Sequence, residues 1–143
     1  MKIETILDRK GDHIVSIDIS LTLEFAADLM MRHGIGALIV TEKGQPVGLL
    51  SERDLVGALA DSGPHAAETP IRQLMARPVL AISPQESLNR AMSLMTTRRV
   101  RHLPVIEDEE LIGIVSLGDV IKHRLDEMEM ESNVLRDLAI AGR

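Results

Sequence analysis

Apolar and polar positions follow the same order twice along this chain, 65 residues apart. Each copy contains a set of small and aliphatic residues at the spacing of one helical face. These sets are Leu23, Ala26, Ala27 and Met30 in the first copy and Leu88, Ala91, Met92 and Met95 in the second. Short apolar runs, typical of strands, lie on both sides of each predicted helix. A gap-free repeat of this length indicates two copies of one supersecondary unit.

Each copy is predicted to form a β-α-β-β-α unit. The predicted strands are 14–17, 36–41 and 46–51 in the first copy and 79–82, 102–106 and 111–116 in the second. We assign 5–61 to repeat 1, 62–70 to a linker rich in Gly, Pro and Ser, 71–126 to repeat 2 and 127–143 to a C-terminal helical extension. The predicted fold class is α/β (α+β), with two pseudo-symmetric repeats packed through their sheets into one module.

Capping and turn residues support these boundaries. Thr22 and Ser87 are predicted N-caps, because their hydroxyls can accept hydrogen bonds from free amides of the first helical turn. Gly34 is predicted to end the first of these helices, since glycine tolerates the left-handed conformation. Gly44 is expected to supply the turn of the first hairpin. A final helix is expected from Glu52 to about Ala60, and its counterpart from Leu117 onward.

A serine and an aspartate three residues apart end both copies: Ser51 and Asp54, then Ser116 and Asp119. Each serine falls where a strand meets a helix, and free amides with the helix dipole favour an anion there. An ionised Asp in the first turn can accept two hydrogen bonds from a vicinal diol such as a ribose. The competing interpretation is an ordinary helix cap, in which Ser caps and Asp complements the dipole.

A basic cluster, Arg98-Arg99-Val100-Arg101-His102, precedes a strand of the second copy, with Arg77 nearby in sequence. Arg98 and Arg99 are explained by a helix C-terminus, which favours cations. Arg101 and His102 lie beyond that helix, and a guanidinium can bind two phosphate oxygens. The equivalent positions in the first copy are Gly36 and Ala37, so only one copy carries the basic pair.

Composition excludes several classes of function. The net charge of −6 and the absence of Tyr and Trp disfavour a nucleic-acid binder. Cysteine is absent, which excludes disulfides and thiolate metal sites. The histidines, including His13, show no metal-ligand spacing. No apolar run is long enough for a signal peptide or a membrane span, so we expect a cytoplasmic protein.

The last helix is expected to continue from Gly118 toward Ala141. An apolar stripe along it, interrupted at Ser132, consists of Ile121, Leu125, Met128, Leu135 and Leu138. Packing on its own domain and pairing with a second copy in a homodimer both remain open. A membrane-surface helix is disfavoured, because the polar face is acidic.

These motifs resemble the cystathionine β-synthase (CBS) domain family. The resemblance covers two tandem copies from about Thr5 to His123 and rests on the repeat, on Gly48–Asp54, on Arg98–Val105 and on Gly113–Val120. The short length and acidic last helix are similar to free-standing bacterial CBS-pair proteins. The resemblance implies two units packed through their sheets into a Bateman module, and modules that commonly dimerise into a disc.

The family resemblance also implies an adenine-nucleotide site. Asp119 and Asp54 would take ribose hydroxyls beside Ser116 and Ser51, and Arg101 and His102 would approach phosphates. The adenine would lie against the other repeat. This implies Val15, Ile35, Gly36 and Ala37 for the Asp119 cleft, and Leu80, Val100 and Arg101 for the Asp54 cleft. Because the first repeat lacks the basic pair, we expect the Asp119 cleft to bind more tightly, with Arg53 partly compensating at Asp54.

The predicted function is therefore a regulatory adenine-nucleotide-binding module, with AMP first and ATP, ADP or NAD(H) as other ligands. It would act as a sensor through an unknown effector protein or a dimer rearrangement. No catalytic residues, catalytic cofactor or metal are expected, and the chain is too short for the roughly 250-residue barrel of the dehydrogenases that carry such pairs. The alternative is a dimerising scaffold protein whose clefts are vestigial.

Overall fold

Residues 1–11, 14–75 and 80–142 are described by a computed structural model. They form two compact units. The central unit contains residues 14–75 and 80–81, and the terminal unit contains residues 1–11 and 82–142. The terminal unit is therefore built from two separate stretches of the chain, and the central unit is one continuous stretch between them.

The central unit contains most of repeat 1. Its elements in chain order are β1 (Ser16–Asp18), α2 (Leu23–His33), β2 (Ala37–Glu42), β3 (Gln45–Ser51), α3 (Glu52–Ser62), the 3₁₀ helix Gly63–Glu68 and α4 (Ile71–Leu74). Strand β1 pairs parallel with β2, and β2 pairs antiparallel with β3. The core packs α2, α4 and all three strands through Ile17, Ile19, Ala26, Met30, Leu38, Val40, Leu50 and Ile71.

The terminal unit repeats this plan. Its elements are α1 (Ile3–Lys10), α5 (Leu88–Arg98), β4 (His102–Glu107), β5 (Glu110–Ser116) and α6 (Leu117–Ala141). The buried apolar residues of this unit include Ile3, Ile6, Leu88, Ala91, Met95, Leu103, Val105, Val115 and Val120. The predicted β-α-β-β-α order is confirmed, apart from the first strand of the second repeat.

The predicted strand 79–82 is wrong in the part that the structure describes, and Val79 lies outside it. Only Ile82 pairs, in one parallel bridge to Val105. The Ile82 amide donates to Pro104 O, and the Ile106 amide donates to Ile82 O, both at 3.0 Å. The apolar residues alone predicted a strand here. Ser83 and Pro84 follow Ile82 directly and turn the chain toward α5, so the pairing stops after one residue.

The helix at the start of each repeat packs in the unit of the other repeat. Helix α1, at the start of repeat 1, packs on β5 and α6 of the terminal unit. Helix α4, which opens repeat 2 in sequence, supplies Ile71 to the core of the central unit. Gly113 permits the close approach of α1, since a Cβ there would meet Leu7 Cδ2 at 2.6 Å. The compact units thus exchange these two helices relative to the repeats of the sequence, and the repeat boundaries 5–61 and 71–126 stay a prediction.

The segment 62–70, predicted as a linker, has regular structure. It contains the 3₁₀ helix, in which Ala66 is buried. Its Thr69 carbonyl accepts a hydrogen bond from the Leu23 amide at 3.0 Å. The segment thus holds the start of α2, a contact that Gly, Pro and Ser content does not reveal.

Helix ends confirm most of the predicted caps. Ser87 Oγ accepts from the Arg90 amide at 3.1 Å, and Gly34 ends α2 with φ of 62°. Thr22 occupies the N-cap of α2, but its side chain makes no capping hydrogen bond, so that part of the prediction is wrong. The Thr22 backbone instead forms a bridge to Pro70.

Both hairpins turn through two residues with positive φ, as tight antiparallel hairpins require. In the first, Gly44 has φ of 77°, which confirms its predicted role. In the second, Asp108 and Glu109 adopt 51° and 66° without any glycine.

Candidate functional site

Ser116 and Asp119 form a reciprocal pair at the start of α6. The Asp119 amide donates to Ser116 Oγ at 3.0 Å, and the Ser116 amide donates to Asp119 Oδ2 at 2.9 Å. This is a capping box, which satisfies two donors that the first turn leaves unpaired. The interpretation as a helix cap is therefore confirmed, and the pair is also fixed in orientation.

Ser51 and Asp54 are arranged similarly at the start of α3. The Ser51 amide donates to Asp54 Oδ2 at 2.8 Å. The Ser51 hydroxyl donates to the same oxygen at 3.1 Å. Two donors of Ser51 therefore engage this carboxylate.

Arg101 and His102 lie beside Ser116. His102 pairs with Ser116 across the β4–β5 ladder, and the Leu117 amide donates to Arg101 O at 2.7 Å. These residues border an open depression of about 330 Å³ lined by Arg101, His102, Ser116, Leu117, Gly118 and Ile121. The structure thus brings the predicted phosphate-binding residues to the N-terminus of α6, where the helix dipole also favours an anion.

Gly36 and Ala37 occupy the corresponding place in the central unit. Ala37 pairs with Ser51, and the Glu52 amide donates to Gly36 O at 3.0 Å. The backbone arrangement therefore matches that of the terminal unit without its basic side chains. Arg53 is exposed in the first turn of α3, and its compensating role stays a prediction.

The predicted adenine contacts belong to both units. Val15 and Ile35 are half-buried against the core of the central unit, and Leu80 is half-buried near the end of that unit. Val100, in the terminal unit, follows α5, and its amide donates to Met95 O at 3.1 Å. The grouping of Val15, Ile35, Gly36 and Ala37 with Asp119, and of Leu80, Val100 and Arg101 with Asp54, stays a prediction.

Lys10 is the residue at this site that sequence reasoning missed. Its Nζ lies 2.7 Å from Asp119 Oδ2 and 3.1 Å from the Ile114 carbonyl oxygen. Asp119 and Lys10 are separated by 109 positions, so no local pattern could reveal the pair.

Lys10 and the Ser116 amide hold the Asp119 carboxylate in its charged form. Burial by itself raises the pKa of Asp119, but the hydrogen bonds and charge of Lys10 with the Ser116 amide outweigh it. The pKa of Asp119 therefore lies below its ordinary value. At neutral pH the side chain is a pure acceptor, as a diol site requires.

The basic residues before Arg101 have the structural role that the sequence indicated. Helix α5 ends at Arg98, and Arg99 is its C-cap with φ of 54°. Both side chains are exposed. Arg77, noted with them, lies outside the described residues, as does His13.

Among residues 1–11, 14–75 and 80–142, no group of three or more His, Asp or Glu side chains is arranged to hold a metal ion. His123 is buried, with Nδ1 2.8 Å from the Asp119 carbonyl oxygen. In the same described ranges, none of the helices is long and apolar enough to cross a membrane.

A strand-helix junction with a Ser-x-x-Asp pair, present twice in a β-α-β-β-α repeat, indicates a module of two tandem domains. The CBS domain model matches residues 7–61 and 71–126. The chain therefore belongs to the CBS-domain family and carries a pair of these domains, as its motifs predicted. CBS pairs are regulatory, ligand-binding modules.

Relatives and solved structures agree with this assignment. The CBS domain-containing protein YhcV of Bacillus subtilis is 30% identical over 85% of this chain and 86% of its own length. An uncharacterized protein of Methanopyrus kandleri is 38% identical over 65% of this chain, but this match spans about half (48%) of that protein. The crystal structure of a CBS-domain protein from Agrobacterium tumefaciens is 35% identical, with a TM-score of 0.84, and covers 87% of this chain and 99% of its own.

A more distant structure shares the fold at 21% identity and a TM-score of 0.78, and the match covers 89% of this chain and 98% of that one. It is the CBS domain pair of protein MJ0100, in complex with 5′-methylthioadenosine and S-adenosyl-L-methionine. Both ligands of that protein contain adenosine.

Proposed function

We propose that this protein is a regulatory module that binds an adenine nucleotide at the N-terminus of α6, with AMP as the first ligand to test. The observation that carries the proposal is the depression where Arg101 and His102 meet Ser116, one turn before the charged Asp119. The Arg101 guanidinium and the dipole of α6 suit phosphate, and the carboxylate suits ribose hydroxyls. The adenosine ligands of the MJ0100 pair support this ligand class.

The proposed site is asymmetric between the repeats. The Asp119 cleft carries Arg101 and His102, whereas the Asp54 cleft has Gly36 and Ala37 at the corresponding strand. Val15, Ile35, Gly36 and Ala37 would complete the Asp119 cleft. Leu80, Val100 and Arg101 would complete the Asp54 cleft. We therefore expect tighter binding at Asp119, with ATP, ADP or NAD(H) as competing ligands of the same class.

Thermal unfolding of the full chain against AMP, ADP, ATP, NAD, NADH and S-adenosylmethionine tests the proposal. A ligand at 100 times its dissociation constant stabilises the folded state by about 2.7 kcal/mol. At roughly 2–4 °C per kcal/mol, the melting temperature should rise by several degrees.

Asp119→Ala and the matched variant Asp54→Ala separate the two clefts. We expect the nucleotide shift to disappear in Asp119→Ala and to persist in Asp54→Ala. Equal shifts in both variants would contradict the asymmetry. No shift with any nucleotide in the unchanged protein would favour the scaffold alternative, in which the clefts are vestigial.

The signal would pass through a second copy of the chain or through an effector protein. Helix α6 supports self-association, because Leu125, Leu135 and Leu138 are 60%, 67% and 64% exposed. Beyond Met128 every described residue of the helix is exposed.

Sedimentation of the full chain tests the homodimer. We expect the unchanged protein to sediment with twice the chain mass of 15.7 kDa. The variant Leu135→Glu should sediment as a monomer. Asn133→Glu, an added charge at an exposed polar position of the same helix, is the control and should leave the dimer intact. A monomeric unchanged protein would overturn the homodimer and leave α6 for an effector protein.

A further inference from the structure

The end of helix α1 holds a cation against the carboxylate that the proposed function needs. Lys10 is the last residue of α1, and its ammonium is shared by Asp119 Oδ2 and the Ile114 carbonyl oxygen. Both acceptors belong to the same compact unit as Lys10. The ammonium therefore bridges β5 and the first turn of α6.

Asp119 Oδ2 already accepts two hydrogen bonds in this arrangement, one from Lys10 and one from the Ser116 amide. A sugar hydroxyl that binds this oxygen must therefore displace or share the ammonium. Lys10 is suited to such a move, because its side chain is 40% exposed and carries its charge on a flexible four-carbon stem.

The central unit provides a natural comparison. Position 75 is equivalent to position 10 in the repeat, and it is Met75, which packs against the core of the central unit. In the part of the chain that the structure describes, no ion pair of Asp54 is seen. Among the described residues, a lysine ammonium therefore pairs with the Asp119 carboxylate and not with the Asp54 carboxylate.

Charge decides which ligands such a site accepts. An unneutralised Asp repels a nearby phosphate, whereas an Asp–Lys pair carries no net charge and can offer the ammonium to the ligand. Arg101 borders the depression beside Ser116, and Lys10 contacts Asp119 of the Ser116–Asp119 pair. Cationic groups from two different elements therefore approach the same Ser-x-x-Asp pair.

We propose that Lys10 determines ligand charge at the Asp119 site, favouring phosphorylated adenosine ligands over uncharged ones. When ribose hydroxyls bind the Asp119 carboxylate, the Lys10 ammonium is released and moves toward the phosphate of the ligand. An uncharged adenosine must displace the same ammonium without offering it a new anionic partner. The proposal rests on the proposed nucleotide-binding function and adds the residue that selects among its ligands.

Calorimetric titration of the full chain with AMP and with adenosine tests this selectivity. Lys10→Met copies the residue of the other repeat and removes the charge. We expect it to weaken AMP binding by about three- to tenfold and to leave adenosine binding unchanged or tighter. Lys10→Arg should retain the preference for AMP.

Lys2→Met is the matched control, because Lys2 lies at the other end of α1 and its ammonium contacts Gln85. It removes the same charge and should not change the ratio of the two affinities. A ligand-free measurement accompanies the titration: the carboxyl of Asp119, followed by NMR, should titrate at higher pH in Lys10→Met.

Other outcomes overturn the proposal. Equal weakening of AMP and adenosine would make Lys10 a structural residue only. Tighter binding of both AMP and adenosine by Lys10→Met would show that Lys10 only competes with the ligands for Asp119. If the unchanged protein binds neither AMP nor adenosine, the nucleotide function itself fails and the role of Lys10 fails with it. Binding of both ligands with an unchanged ratio in Lys10→Met overturns the selectivity alone.

Discussion

The two repeats begin their last helices with the same Ser-x-x-Asp sequence, yet the two carboxylates have different neighbours. Asp54 is engaged by the amide and hydroxyl of Ser51. Asp119 is engaged by the Ser116 amide and by Lys10 of α1. Internal repetition therefore conserves the local backbone, while long-range partners make the sites unequal.

The largest expected effect tests whether α1 packs on the terminal unit as described. Gly113→Ala places a Cβ 2.6 Å from Leu7 Cδ2, and overpacking of this kind costs about 1–3 kcal/mol of unfolding free energy. Chemical denaturation measures the loss. In a Leu7→Ala background the same substitution should cost much less, and an undiminished cost would contradict the contact.

Gly57→Ala is the control for this substitution. It adds the same methyl group to α3, where nothing lies within 4 Å of the new Cβ. Since alanine is favoured over glycine inside a helix, we expect a gain of roughly 0.5–1 kcal/mol.

The next effect compares two equivalent helix ends. Gly34 and Arg99 both adopt left-handed backbone, with φ of 62° and 54°. A side chain in this conformation costs about 1–2 kcal/mol per residue. Gly34→Ala should therefore destabilise the protein by about 1 kcal/mol, and Arg99→Gly should stabilise it by a somewhat smaller amount. Thermal melts of both variants check the opposite signs, and a stabilising Gly34→Ala would contradict the assigned cap.

A smaller contrast separates the two N-caps. Ser87 makes its capping hydrogen bond and Thr22 does not. Ser87→Ala should thus lower the free energy of unfolding by about 1 kcal/mol, the usual value of such a cap. Thr22→Ala should change it by only a few tenths. Urea denaturation of the two variants side by side measures the difference, and equal losses would show that both hydroxyls cap in solution.

The smallest expected effect is on the free energy of unfolding at low pH. Because the folded-state pKa of Asp119 is lowered, its contribution to stability is present above the unfolded-state pKa and is lost as pH falls through the folded value. Below about pH 4 the unchanged protein should therefore lose more stability than Lys10→Met. Both partners are partly exposed, so the difference should be roughly 0.2–1 kcal/mol. Denaturation at pH 7 and pH 3 measures it, with Lys2→Met as the control.

Local periodicity predicted much of the fold. The helices α2 and α5, both hairpins and the helix starts after Ser51 and Ser116 follow from apolar spacing, turn residues and caps. The predicted strand 79–82 was not found in its described part, where only Ile82 pairs, in a single bridge. A short apolar segment with one bridging residue has the same sequence pattern as a short strand, so the pattern could not distinguish the two. The 3₁₀ helix Gly63–Glu68 was also missed, since Gly and Pro mark a turn without specifying its packing.

Only the part of the candidate site that lies within one repeat could be predicted from the sequence. Ser116, Asp119, Arg101 and His102 converge because a hairpin brings the start of β4 to the end of β5. Lys10 reaches the same place from the opposite end of the chain. Spacing within a repeat says nothing about which unit its leading helix will join, and α1 and α4 both join the unit of the other repeat.

This exchange of leading helices has a consequence for biosynthesis. The central unit is contiguous in sequence, so it can fold once its last residues have left the ribosome, before the second repeat has emerged completely. Helix α1 is made before the central unit and must wait about a hundred residues for β5 and α6, with Ile3 and Ile6 lacking the burial that they have in the folded protein. Such late, long-range closure slows folding and leaves apolar surface open to misassembly.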